Sequence, residues 1–490
     1  MRFVYIGFLF WLFSPFALSK GISKQTETKL NEHIQRAQKR YGIIGQSVAI
    51  LKHGELVYLH AAGNASIEFN VPVTPDTIFS IYSVTKLFVS TRLLQLAETG
   101  ALDLSDTLGK HFPDMPKQWR SVSVLQALSH MSGIPEYSQD MMTHLSGEEA
   151  IAHVADEPMA FISGTQSRYN QTNFYYIQKL VEKFDQRSLE DSITENAILP
   201  YKLVSTHFGG EFDVINGRAT RYEGAASGIK RVMRNDPPAY YLGANGMNSS
   251  ASDLARWFSA LLNGGFLRQA TLEKAWAPLS LKNGRKARHS HGWEVSEMNG
   301  YSVVGHHGAN TVNVRHFFKD DIKEGAVTVI HLTNGILRRF SLVDFSYTLA
   351  SEIVEEMQTP LRALKENMLV ALESGEWETA KAHYAHFKAN YAEQLAGTEL
   401  MLNTLGYMVM EYLGAEQALP VFSLNVQEYP DSSNALDSLA EAYLNSGDKN
   451  KAKYYYAEAL KIDKDNERIK HTLRQLEEVT KPTHSKTPAS

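Results

Sequence analysis

The placement of two apolar blocks, far apart in the chain, constrains its fold more than any other feature. QSVAILKHGELVYLHAAG, residues 46–63, reads as two strands around a His-Gly-Glu turn, a hairpin pattern. From 290 to 334 strand patterns return and end in GAVTVIHLTN. Helical patterns lie between them. Residues 84–100 carry apolar Leu87, Phe88, Leu93, Leu94 and Leu96 and close at Gly100, and SASDLARWFSALLNGG follows at 250–265. A last helix, SLVDFSYTLASEIVEE, spans 341–356. Strands at both ends with helices between them specify one antiparallel sheet flanked by helices, an α+β domain over residues 20–356.

After Thr359-Pro360 the strand signals stop, and residues 360–480 become an Ala-, Tyr- and Leu-rich helical pattern that repeats itself. Leu405, Ala418, Phe422 and Pro430 recur as Leu439, Ala452, Tyr456 and Lys464, and SGEWETAKAHY at 374 echoes SGDKNKAKYYY at 446. This spacing, with small residues where helices cross and aromatics beneath them, resembles tetratricopeptide repeats; a plain helical bundle is the other reading. Such repeats bind peptides in a concave groove, so a protein partner is expected there. The tail KPTHSKTPAS, 481–490, is polar and expected to be disordered.

Residues 1–19, MRFVYIGFLFWLFSPFALS, combine Arg2, an apolar core and a small-residue ending in which Ala17 and Ser19 fit a cleavage site. They read as a secretory signal peptide. The expected location is periplasmic or secreted, with no membrane association after cleavage. The chain has no cysteine, which removes disulfides, thiol catalysis and Cys-based zinc sites together. Its 490 residues are 43% hydrophobic and 21% charged, which excludes a disordered polymer. A net charge of −5 offers no basic surface for nucleic acid.

Within FSIYSVTKLF, 79–88, Lys86 stands in an apolar run three residues after Ser83. A buried ammonium is costly unless it is used or neutralised. Ser-x-x-Lys also occurs at Ser227/Lys230 and Ser446/Lys449, but there in Gly-rich, polar surroundings that read as solvated loops. Ser83 alone opens an apolar helix, whose N-terminus favours negative charge on the hydroxyl and whose i, i+3 spacing sets Lys86 on the same face. A desolvated lysine has its pKa lowered and can take the serine proton at neutral pH.

From about residue 42 to 336 the chain resembles the serine β-lactamase and D,D-peptidase superfamily, in particular its class C β-lactamase-like branch. The resemblance rests on IFSIYSVTKLF, TGALDLSDTLGKHFPD, LQALSHMSGIPEY, NGMNSSASDLARW and GHHGAN in the family's order. It implies a β-lactamase/transpeptidase-like fold and catalytic Ser83 and Lys86. It also implies Tyr169, from YNQTNFYY, as a phenol relaying protons, with a phenolate accessible below its free pKa. Gln171 stands where the family has asparagine and would hold substrate amide. In His306-His307-Gly308, His306 would contact a substrate carboxylate or carbonyl, and Gly308 would let substrate approach the backbone. The N–H groups of Ala309 and Ser83 would form the oxyanion hole.

A neutral His306 in place of a lysine favours ester, amide or small-peptide substrates over D-Ala-D-Ala or β-lactams. A true β-lactamase or D,D-peptidase, and a non-catalytic binding protein working through the repeats, are the alternatives. No cofactor is implied. His289, His291, His306 and His307 cluster in sequence, but without a His-Glu-x-x-His helix or cysteine they imply no metal. The absence of Gly-x-Ser-x-Gly argues against an α/β-hydrolase. LSHMSG, 128–133, reads as a structural turn below the site.

Overall fold

The computed structural model describes residues 21–137, 145–210, 212–225, 228–232 and 237–478. The expected signal peptide, the tail and Ser227 lie outside them. The chain divides into two compact units, one ending at Met357 and the other beginning at Gln358.

The first unit is built on an eight-stranded sheet. Its strands run in the order Val71–Pro72, Glu55–Ser66, Gly45–Lys52, Val327–Thr333, Val312–Phe318, Tyr301–Gly308, Trp293–Met298 and His289–Ser290. Every neighbouring pair is antiparallel. The 46–63 hairpin turns at His53 and Gly54, both with positive φ, as a two-residue loop matched to strand twist requires. The first strand and the last lie side by side, Gln46 opposite Thr333 and Lys52 opposite Val327.

Both faces of this sheet are covered, which is why its central strands are buried along almost their whole length. Val48 and Ile50 point into one core with Val327 and Val329; Ala49 and Leu51 point into the other with Ile330 and Leu332. On the first face lies a helix that the sequence reading did not place, Lys24–Tyr41. Ser23 caps it, Leu30, Ile34 and Ala37 form its buried stripe, and Gly42 ends it in the left-handed conformation. Beside it packs Leu342–Ser351, which stops short of the expected residue 356.

The opposite face carries the larger core. The expected 84–100 helix is a 3₁₀ turn, Tyr82–Val84, leading into Thr85–Glu98. It contributes Leu87, Phe88, Leu93 and Leu94 to that core. Helix Gln171–Asp185 lies against it, tied by Arg92, whose Nε and Nη2 donate to Asp185 at 2.9 and 2.6 Å. Helix Ala251–Leu262, capped by Ser250, stacks Trp257 on Phe88.

The second unit is all α: Pro360–Glu373, Trp377–Asn390, Thr398–Tyr412, Ala415–Glu428, Ser433–Asn445, Lys449–Ile462 and Glu467–Glu478. Thr359 caps the first helix with Pro360 at its first position, so the predicted boundary is also a helix start. Among the described residues no helix is long and apolar enough to cross a membrane.

Candidate active site

Ser83 sits on a turn clamped from two sides. Phe79–Ser80 pairs with Met247–Ser249, the Ile81 N–H donates to Met247 O at 3.0 Å, and the Met247 N–H donates to Thr85 Oγ1 at 3.2 Å. Tyr82, immediately before the serine, has φ of 49°, a left-handed conformation that costs a tyrosine roughly 1–3 kcal/mol and is held only because its surroundings impose it. On the third side lies Gly308. A Cβ there would stand 2.4 Å from Ile81 O and 3.0 Å from Tyr82 Cβ. The backbone that needs its missing side chain is the protein's own serine turn, packed onto the end of the Tyr301–Gly308 strand.

Lys86 is fully buried, and its Nζ donates to Ala244 O at 2.7 Å. It lies 5.0 Å from the ring centroids of both Tyr169 and Phe174. Burial drives its pKa well below 10.5, against a weaker upward pull from Glu136 and Glu294. The expected direct contact with Ser83 is not present: the amine bonds to the Ala244 carbonyl, and the partner of Ser83 Oγ is the Tyr169 hydroxyl, which donates at 2.9 Å.

Tyr169 precedes Asn170, the N-cap of helix Gln171–Asp185, whose Oδ1 accepts from Asn173 N at 3.1 Å. Burial pushes the phenol pKa up, with the Ser83 bond and the Gln171 side chain opposing. The phenolate expected from the resemblance is therefore corrected to a neutral phenol, because desolvation outweighs those polar contacts. Gln171 is buried, and its Oε1 has no hydrogen-bond partner among the described residues. Its backbone N–H donates to Glu136 Oε1 at 2.9 Å, placing an exposed carboxylate at the edge of the site.

Three imidazoles surround the Tyr169 ring, those of His130, His289 and His306, at centroid distances of 4.6, 5.6 and 5.8 Å. His130 belongs to the LSHMSG turn. That segment is structural as expected, since Ser129 Oγ and Ser132 Oγ accept backbone N–H groups of His291 and Ile134. Its histidine nonetheless reaches the site, and nothing in the sequence marked it. His130 Nδ1 accepts from the Asn170 N–H at 3.1 Å, so its proton is on Nε2.

His306 is 1% exposed, whereas His307 is 46% exposed along its side chain. His306 Nδ1 donates to His307 O at 2.6 Å, and burial lowers its pKa to about 3, so the ring is neutral. Its Nε2 lone pair has no partner among the described residues. Ala309, at φ 46°, begins the tight turn after the strand. Glu294, unforeseen in the sequence, sits between them: it pairs with Arg315, binds His307 Nδ1 at 2.6 Å and lies 3.6 Å from His306 Nδ1. Register puts it there, opposite His289 on one side and Gly305 on the other. One ligand atom each of His289, Glu294 and His306 lies within 4.8 Å of the other two, a grouping able to hold a metal.

The Beta-lactamase family model matches residues 30–335, well over half of the chain, and the chain belongs to that family. A D-aminopeptidase of Gluconobacter oxydans is 24% identical over 297 residues, covering 59% of this chain and 55% of the relative. The match thus spans about half the length of that relative. The D-amino acid amidase of Ochrobactrum anthropi superposes with a TM-score of 0.57 at 21% identity, over 68% of this chain and 99% of that one. The octameric penicillin-binding protein homologue from Pyrococcus abyssi gives 0.57 at 23% identity, over 70% and 81%.

Proposed function

We propose that the protein hydrolyses small amides, esters or peptides through an acyl-enzyme on Ser83. The observation that carries this is the 2.9 Å bond from the Tyr169 hydroxyl to Ser83 Oγ beside a lysine whose pKa burial drives well below its ordinary value. Ser83 Oγ attacks the substrate carbonyl carbon; its proton passes to the Tyr169 oxygen while the phenol proton passes to the Lys86 amine. The Ser83 and Ala309 N–H groups hold the oxyanion. Collapse breaks the bond to the leaving amine or alcohol, which regains the proton through Tyr169, and water then releases the acyl group. Gln171 and His306 orient substrate.

The charges around the site favour a substrate bearing an amine over one bearing a carboxylate. Glu136 and Glu294 both act on Lys86, Arg315 is engaged by Glu294, and His306 is neutral. A D-aminopeptidase and a D-amino acid amidase among the relatives agree with that preference. Penicillins and D-Ala-D-Ala peptides present a carboxylate and suit the site less. Intact-protein mass after exposure to a fluorophosphonate, and separately to benzylpenicillin, tests both points. An adduct with the fluorophosphonate that vanishes in Ser83→Ala, with none from benzylpenicillin, is expected. No adduct from either reagent on folded protein would transfer the function to the helical unit as a binding module.

We further propose that this helical unit is made of tetratricopeptide-like repeats serving a protein partner. Its support is that Leu405 and Leu439, Ala418 and Ala452, and Phe422 and Tyr456 are all buried in helix pairs. Affinity capture with the full chain from its native compartment tests the partner. Export is proposed on residues 1–19, and the N-terminus of protein recovered outside the cytoplasm tests it.

A further inference from the structure

We propose that His289, Glu294 and His306 form a reversible Zn²⁺ site that shuts the hydrolase off. The three residues come from adjacent strands, and their ligand atoms lie within 4.8 Å of one another. Two imidazole nitrogens and a carboxylate oxygen are a Zn²⁺ donor set that leaves a fourth position open. An ion holding them at roughly 2.0–2.2 Å draws the widest pair together by about 1–1.5 Å.

Two buried nitrogens point to a ligand independently of that spacing. His306 is 1% exposed and His289 8%, and neither His306 Nε2 nor His289 Nδ1 has a hydrogen-bond partner among the described residues. A buried polar atom without a partner is expensive and calls for an occupant. The surroundings are those of a metal's outer shell. The His307 carbonyl takes the Nδ1 proton of His306, which fixes the tautomer and leaves Nε2 as a lone pair; Arg315 anchors one Glu294 oxygen and His307 binds the other.

Glu294 is the only carboxylate of the set and is shared with Arg315 and His307, which weakens its hold on a cation and makes the site reversible rather than structural. The ion lies beside Tyr169, whose ring is 5.6 Å from that of His289 and 5.8 Å from that of His306. It takes the His306 lone pair that substrate would otherwise meet, so Zn²⁺ competes with substrate. That inhibitory consequence rests on the hydrolase reading; the binding does not.

The test is a Co²⁺ titration of the full chain followed by visible absorption, with Zn²⁺ displacement, in wild type, His289→Ala and Glu294→Gln. One Co²⁺ per chain with ligand-field bands that Zn²⁺ abolishes is expected, with affinity about 100-fold weaker in either folded variant. Should a variant fail to fold, the wild type decides alone: micromolar Zn²⁺ raises its Tm by binding the native state. Absence of stoichiometric binding, or equal binding in folded variants, overturns the site. If an ester or amide substrate is turned over, Zn²⁺ raises KM and leaves kcat unchanged; an unchanged KM overturns the inhibitory role even where the Co²⁺ bands appear. Absence of any turnover speaks against the hydrolase reading and leaves the Co²⁺ result intact.

Discussion

Ser83/Lys86 and Ser446/Lys449 share one spacing in two very different places. Lys86 is fully buried against Tyr169 and Phe174, and Ser83 receives a hydrogen bond from a tyrosine hydroxyl. Ser446 ends helix Ser433–Asn445 by bonding its own hydroxyl to the Tyr443 carbonyl at 3.0 Å, and Lys449 is exposed at the start of the next helix. In the first place burial drives the lysine pKa down, so the amine gives up its proton more readily; in the second the side chain is exposed to water. Reactivity belongs to the enclosure and to the third residue, not to the spacing.

Breaking the comparison at its strong end gives the largest effect. Ser83→Ala lowers hydrolysis by about 10⁴-fold or more, measured as kcat/KM, while Ser446→Ala leaves it unchanged. Tyr169→Phe removes the relay yet keeps the ring packed, and lowers kcat by roughly 10²–10⁴-fold. If Tyr169 were only packing, kcat would hold.

Lys86→Met is expected to lower kcat over the same range as Tyr169→Phe, about 10²–10⁴-fold, and to raise Tm at neutral pH. The sign follows from linkage. The lysine binds fewer protons folded than unfolded between its depressed pKa and 10.5, so wild-type stability climbs with pH there and the advantage of Lys86→Met shrinks toward pH 10.5. A Tm difference independent of pH would contradict a depressed lysine. Lys449→Met, at the weak end, changes stability by no more than about 0.5 kcal/mol in urea melts.

The same contrast extends to histidine. The sheet-built unit buries His289, His291 and His316 with pKa values near 4 and His306 and His331 near 3, all lowered mainly by burial; among the described residues none in the helical unit is buried. The unfolded chain protonates near 6.5 and the native one does not until pH 4 or 3, so the first unit loses stability as pH falls from 6.5 toward 4. Hydrogen exchange between pH 7 and 5 is expected to show loss of protection in Val327–Thr333 and little change in Ser433–Asn445.

The 46–63 hairpin was legible because apolar runs and a two-residue turn are local, and the Ser83–Lys86–Tyr169 group because each stands in a short motif. Glu294 was not, since only strand register sets it opposite His289 and beside His306. The Ala244 carbonyl that receives the Lys86 proton is backbone and leaves no trace in residue type. His130 was visible as a residue, but its reach to Tyr169 depends on how the 128–133 turn folds against helix Gln171–Asp185. Helix Lys24–Tyr41 escaped because its stripe, Leu30, Ile34 and Ala37, is narrow among charged neighbours.

The seam between the first and last central strands bears on how the molecule is made. His331 and Gln46 bond across it at 2.9 Å although 285 residues separate them. A ribosome adding roughly 5–20 residues per second needs on the order of half a minute to deliver the second strand after the first. Throughout that interval the hairpin at 46–63 presents a bare strand edge, the kind of surface that recruits other chains. The longer that seam stays open, the more the yield of folded chain depends on keeping the edge covered and not on final stability alone.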